Sequence, residues 1–98
     1  MKSIICGAGD VGHSIAEKLS KEGFEVTVVD ESSTRLKKIA ENLDVKIVEG
    51  APGLPTVLSN AGAKDCEILI AVTKSDETNM ISCQIGHSLF KIPKKLPE

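Results

Sequence analysis

Ninety-eight residues with 41% hydrophobic content suffice for one domain that buries roughly 60–65% of the unfolded chain's surface, and leave no room for a second. A net charge of −2, two aromatics (Phe24 and Phe90) and no Trp or Tyr argue against a nucleic-acid partner, which asks for a basic face and stacking platforms. Cys6, Cys66 and Cys83 form no CxxC pair and read as buried reduced thiols. His13 and His87 stand apart, so no metal site emerges. The apolar runs, about five residues long, fall far short of a membrane span, and Met-Lys-Ser before a strand is no signal peptide.

In chain order, Lys2-Ser3-Ile4-Ile5-Cys6 reads as a short strand running into Gly7-Ala8-Gly9-Asp10-Val11-Gly12 and a helix. That is the sequence form of a pyrophosphate site. Gly7 permits the tight turn, Gly9 lets the backbone approach the phosphates, and Gly12 lets helix and strand pack closely. The unpaired N–H groups and the dipole of the helix hold the anion, so no Lys or Arg is needed, and none occurs between Ser3 and Glu17. Val11, Ile15, Ala16 and Leu19 form the apolar stripe of this helix, and Gly23 ends it as a left-handed cap.

Glu25-Val26-Thr27-Val28-Val29 is a second strand ending in Asp30, 18 positions beyond Gly12. A carboxylate there can accept both ribose hydroxyls of an adenosine, and otherwise has little structural purpose at the end of an apolar strand. It disfavours NADP(H), because two like charges about 4 Å apart cost up to about 4 kcal/mol at an effective dielectric of 20. Ser32 or Ser33 caps a second helix with Leu36, Ile39, Ala40 and Leu43 on its apolar face. Val45 to Val48 is a third strand, followed by the turn-rich loop Glu49 to Pro55, a short helix near Thr56 to Ala61, and a fourth strand from Glu67 to Val72. Ser75 or Asp76 caps the last helix, with Ile81, Ile85 and Leu89 on one side. This alternation predicts an α/β fold: a Rossmann-like doubly wound parallel sheet in the order 3-2-1-4, with the nucleotide at the switch point between strands 1 and 4.

Ile4 to Gly12, Val28-Val29-Asp30, Val48-Glu49-Gly50, Ala61-Gly62-Ala63 and above all Ala71-Val72-Thr73-Lys74-Ser75-Asp76-Glu77-Thr78-Asn79-Met80 resemble the N-terminal domain of TrkA proteins, also called the KTN or RCK N-terminal domain. The resemblance runs in register from Met1 to about Pro93. It implies a cytoplasmic regulatory subunit, peripheral to the inner face of the membrane. Such a subunit associates as a dimer or higher ring and couples nucleotide binding to the gating of a Trk-type membrane potassium transporter. NAD(H) is the favoured ligand, with ATP, ADP or AMP as alternatives. By the same resemblance the phosphate loop is Gly7, Ala8, Gly9, Asp10, Val11 and Gly12. Asp30, with Glu31 beside it, takes the adenosine ribose and Arg35 approaches that end; Gly50 and Ala51 border the adenine. Val72 and Thr73 lie beside the phosphates or second ribose, with Asp76, Glu77 and Asn79 at the following helix start.

The residues themselves add to this. Thr73 leaves a strand where open α/β sheets bind ligands, so its hydroxyl can reach a ligand's polar atoms. Asp76 and Glu77 have the alternative role of stabilising a helix's first turn, and Arg35 that of a solvated helix residue. Two departures from the family pattern stand out. Gly50-Ala51-Pro52-Gly53 lacks the usual polar residue after the glycine. The chain also stops early, so the domain of residues 1–90, with a short basic tail at 91–98, is truncated and leaves strand four an uncovered edge. The rival readings are a cofactor-binding fragment of an NAD-dependent oxidoreductase and an oligomerisation module that has lost its ligand. The first lacks a substrate pocket and an acid–base group, Lys74 being the nearest candidate.

Overall fold

The computed structural model describes residues 1–96; Pro97 and Glu98, the end of the expected tail, lie outside the described residues. The strands are β1 (Lys2–Cys6), β2 (Glu25–Asp30), β3 (Lys46–Glu49), β4 (Ile68–Ala71) and β5 (Lys94–Leu96), and the helices α1 (Asp10–Lys21), α2 (Ser33–Asn42), α3 (Pro55–Asn60) and α4 (Asp76–Ser88), with a 3-10 turn at Ala63–Asp65. They form one parallel sheet in the order β3-β2-β1-β4-β5.

Alternation along β1 divides the core. Ile5 joins Val26, Val28, Leu36, Ile39, Ala16 and Ile70 on the α1/α2 face, and Ile4 and Cys6 join Val29, Leu58, Leu69 and Ala71 on the α3/α4 face. Both isoleucines are fully enclosed, each contributing about 1.5–3 kcal/mol. The caps resolve as Ser32, whose Oγ accepts from Arg35 N (3.2 Å), and Ser75, whose Oγ accepts from Thr78 N (3.0 Å). Gly23 follows α1 at φ 90°, the left-handed turn expected of it.

The structure departs from the sequence expectation in two places. First, α4 turns Ile85 toward the core as expected but leaves Ile81 and Leu89 outside. Its buried positions are Asn79, Ser82 and Gly86, while Met80, Ile81 and Leu89 are 71%, 42% and 61% exposed. Packing is close at Gly86, where a Cβ would stand 3.3 Å from Ile92 Cδ1 and 3.6 Å from Leu69 Cδ1, so the helix lies nearest the sheet at its smallest residue. Val11, expected on the stripe of α1, is likewise exposed.

Second, β4 is not an open edge. After α4 the chain reverses through Lys91, a non-glycine residue at φ 53°. Ile92 donates its N–H to Gly86 O (2.9 Å) and plugs the α3/α4 face of the core. Lys94-Lys95-Leu96 then pairs with Ile68-Leu69-Ile70. Lysines read as part of a solvated tail instead belong to a strand beyond β4, where lysine is one of the residues that blunt an edge.

Candidate functional site

The glycine loop leaves β1 at the C-terminal edge of the sheet, beside the ends of β2 and β4. Gly7 donates to Val29 O (2.8 Å), and Val72 donates to Cys6 O (2.8 Å), which fixes the loop between its two neighbours. Gly7 sits at φ 119°, where an added Cβ would stand 2.8 Å from Val72 O, and a Cβ on Gly12 would stand 1.9 Å from Gly7 O. Those two glycines are required by the fold.

Gly9 is different. Its backbone is extended (φ −78°, ψ −167°), a conformation open to any residue. A Cβ there would meet nothing within 4 Å, and the residue lines an open cleft. The first N–H at this helix start with a partner is that of His13, which donates to Gly9 O at 2.9 Å. Among the described residues those of Gly9, Asp10, Val11 and Gly12 have none. Free donors, a helix N-terminus and a glycine that the fold does not need make a cradle for an anion that approaches the backbone closely.

Asp30 closes one side of this cleft. Its Oδ1 accepts from Ala8 N (2.9 Å) and its Oδ2 from Ser32 N (2.8 Å), while its carbonyl accepts from Gly50 N (2.9 Å). The carboxylate therefore has the structural purpose that the sequence did not reveal: it ties the glycine loop to the start of α2. Each oxygen retains a further lone pair for an incoming hydroxyl.

The opposite wall is the β4–α4 loop. Asn79, 8% exposed, accepts at Oδ1 from Thr73 N (2.9 Å) and Thr73 Oγ1 (2.7 Å), and its Nδ2 donates to Thr73 O (3.2 Å). Thr73 Oγ1 also accepts from Ser75 N (3.2 Å). The Thr73 hydroxyl, expected to face a ligand, is thus engaged within its own turn. Asn79 positions Thr73 and stands outside the cleft wall.

The cleft between these walls encloses about 250 Å³, and its lining includes Gly7, Ala8, Gly9, Asp30, Glu31, Arg35, Val72 and Thr73 together with Pro52, Lys74, Ser75 and Thr78. The last four were not among the expected binding residues. Pro52 enters because its carbonyl accepts the hydroxyl of fully buried Ser82 (2.8 Å), a contact between loop and helix that no local pattern signals. Asp10 lines an adjoining hollow, Val11 points to solvent, Gly12 is buried under the loop, and Gly50 and Ala51 are absent from the wall. Gly50 has a packing reason, since a Cβ there would stand 2.8 Å from Val57 Cγ2. Two roomier hollows, about 590 and 680 Å³, lie away from the loop, one at the N-terminal ends of β1 and β2 and one beside β5. Neither has the glycine loop in its wall.

The thiols are held in their protonated form. Burial, reinforced by the neighbouring Cys83 and Cys66 and opposed by a Ser82 hydrogen bond, pushes the Cys6 thiol up to about 12. Burial also raises Cys66 and Cys83. Among the described residues no group of three or more His, Cys, Asp or Glu side chains could hold a metal ion, and no helix is long and apolar enough to cross a membrane.

A five-stranded parallel sheet with helices on both faces and a glycine loop at its C-terminal edge defines a Rossmann-like domain of the nucleotide-site type. The chain belongs to the TrkA-N domain family, which it matches over residues 3–96. It is 49% identical to the Trk system potassium uptake protein TrkA of Halomonas elongata and 46% identical to that of Haemophilus influenzae, over 96 residues in each case. These alignments take in 98% of this chain and 21% of each relative, so the chain spans about a fifth of their length. Among solved structures, the Kef CTD of Shewanella denitrificans in its AMP-bound form superposes with a TM-score of 0.81 at 23% identity, over 97% of this chain and 56% of that one. The TrkA-N domain of the Escherichia coli inner membrane protein ybaL does so at 0.77 and 24%, over 94% and 66%. Both likenesses bear on the fold alone.

Proposed function

We propose that this chain is the nucleotide-binding regulatory domain of a Trk-type potassium uptake system, non-catalytic, and that its ligand is NAD(H). The observation that carries the reading is Gly9: a glycine with no conformational or packing need for it, lining a cleft beside four unpartnered N–H groups. The pyrophosphate takes those N–H groups, and Asp30 receives the adenosine ribose hydroxyls on its remaining lone pairs. Asp30 and Glu31 weigh against a 2′-phosphate at the ribose itself. The naming of relatives as potassium uptake proteins and the AMP bound by a structural neighbour support the reading.

Regulation then follows from linkage. A nucleotide shifts a membrane transporter only through unequal affinity for its states, and a tenfold preference supplies about 1.4 kcal/mol. The Thr73 loop is the route, because Asn79 joins it to α4. The outer side of α4, with Met80, Ile81 and Leu89 exposed, is the apolar surface that a second copy would cover in a dimer or ring. The placement is cytoplasmic, against the inner face of the membrane.

A thermal-shift titration with NAD, NADH, ATP, ADP, AMP and NADPH tests the site. A ligand at about 100 times its Kd adds about 2.7 kcal/mol, roughly 11–22 °C for a domain of this size. A shift with NADH exceeding that with NADPH is expected; no shift with any adenine nucleotide overturns the reading. Steady NADH oxidation with a keto acid would instead favour the oxidoreductase.

A further inference from the structure

Ser82 stands in the middle of α4, fully buried and outside the cleft wall. We propose that it is a positioning residue for the nucleotide: it holds the Pro52 side of the cleft in the shape that receives the nucleoside, while the phosphates are held elsewhere. The inference rests on the nucleotide reading above.

A serine in a helix interior ordinarily bonds back to its own helix or faces water, and alanine is the better helix former. The Ser82 hydroxyl instead donates to Pro52 O, 30 residues earlier, at 2.8 Å. The Cys6 thiol, on the residue before the glycine loop, is a further hydrogen-bonding neighbour. Pro52 has no N–H with which to anchor itself, and it is buried where it lines the cleft. Next to it Gly50 donates to Asp30 O (2.9 Å), whereas Leu54 donates to Ala51 O (3.1 Å), a bond that stays within the loop. The Pro52 wall therefore hangs between Asp30, the acceptor proposed for the ribose, and Ser82.

Asn79, three residues before Ser82 on the same inner face of α4, holds Thr73 in the wall that faces Asp30. One helix face thus supports two parts of the wall, each through a buried polar side chain. The glycine loop is fixed separately, by Gly7 N to Val29 O and Val72 N to Cys6 O. A loss at Ser82 should then fall on the nucleoside part of a ligand and spare its phosphates. A wall freed from Ser82 is seated for only part of the time, and affinity falls by that fraction.

Calorimetric titration of wild type, Ser82→Ala and Ile39→Val with NADH, ADP and inorganic pyrophosphate tests this. Ile39→Val is the control for a general loss of stability, being buried on the other face of the sheet. Ser82→Ala is expected to weaken NADH or ADP about three- to tenfold, as one lost hydrogen bond allows, with pyrophosphate within twofold. In the ligand-free chain its Leu54 amide should exchange faster. Ile39→Val should do neither. Equal losses for nucleotide and pyrophosphate in Ser82→Ala, or unchanged nucleotide affinity, overturn the positioning role. If wild type binds neither nucleotide, the nucleotide reading fails, and exchange at Leu54 alone decides whether Ser82 supports the wall: faster exchange upholds it and unchanged exchange removes it.

Discussion

Gly9→Ala is expected to stabilise the free chain while disabling it as a binder. Alanine adopts φ −78°, ψ −167° without strain, and its Cβ would enter empty space. Restricting the unfolded chain should then add about 0.4–1 kcal/mol, or about 2–8 °C in a domain of this size. The same methyl would occupy the path of a phosphate approaching the loop. A forced contact of that kind costs about 1–3 kcal/mol, a five- to 150-fold loss of affinity. At a ligand concentration 100 times the wild-type Kd, the stabilisation of about 2.7 kcal/mol would fall to about 0.3–1.8 kcal/mol. Gly12→Ala is the opposite case, because its Cβ would stand 1.9 Å from Gly7 O and should destabilise the free chain by about 3 kcal/mol or more. Thermal melts of wild type and both variants, with and without nucleotide, read all of this at once. A full ligand shift retained by Gly9→Ala would refute the placement of the phosphate, and so would a destabilisation of the free chain like that of Gly12→Ala.

Asp30→Ala should lower the stability of the ligand-free chain by about 1.5–3 kcal/mol, since Ala8 N and Ser32 N lose a charged acceptor; urea melts without ligand check this. Asn79→Ala releases Thr73 from three hydrogen bonds and is expected to cost about 1–3 kcal/mol, with faster amide exchange concentrated between Thr73 and Thr78. The third expectation concerns pH. Folded Cys6 keeps its proton up to about 12, whereas the unfolded thiol releases it near 9.0. Its contribution is therefore fully present below about pH 9 and declines as pH rises, by about 1.4 kcal/mol per unit. Chemical denaturation at pH 8, 9 and 10 should show that fall, and Cys6→Ala should lessen its slope, leaving the part that Cys66 and Cys83 contribute.

Much of this was legible because local chemistry and global fold agree. Gly7 and Gly23 were read correctly as glycines demanded by backbone geometry, and Gly12 as one demanded by close packing. What was missed depends on contacts distant in sequence. That Asp30 braces the loop requires knowing that Ala8 N, 22 residues earlier, reaches its carboxylate. Periodicity told only part of the inner face of α4: Ile85 turns toward the core, but the helix lies nearest the sheet at Gly86, against Leu69 and Ile92. Strand β5 was obscured by two lysines, whose side chains say little about whether the backbone is paired. That Gly7, Ala8, Gly9 and Asp30 would meet at one cleft was legible from spacing, whereas Pro52 and Lys74 enter it through loops whose course tertiary contacts decide.

The strand made first is the one that stands in the middle. Strand β1 is hydrogen-bonded on one side to residues 25–29 and on the other to residues 68–71, so it must wait for most of the chain to emerge before both flanks are covered. Ile4 and Ile5 spend that interval exposed to anything else that is sticky, and the sheet closes only when long loops have been drawn together, a slow step in any parallel topology. Early removal of the first six residues would not trim the molecule but would split it into two halves with no shared partner.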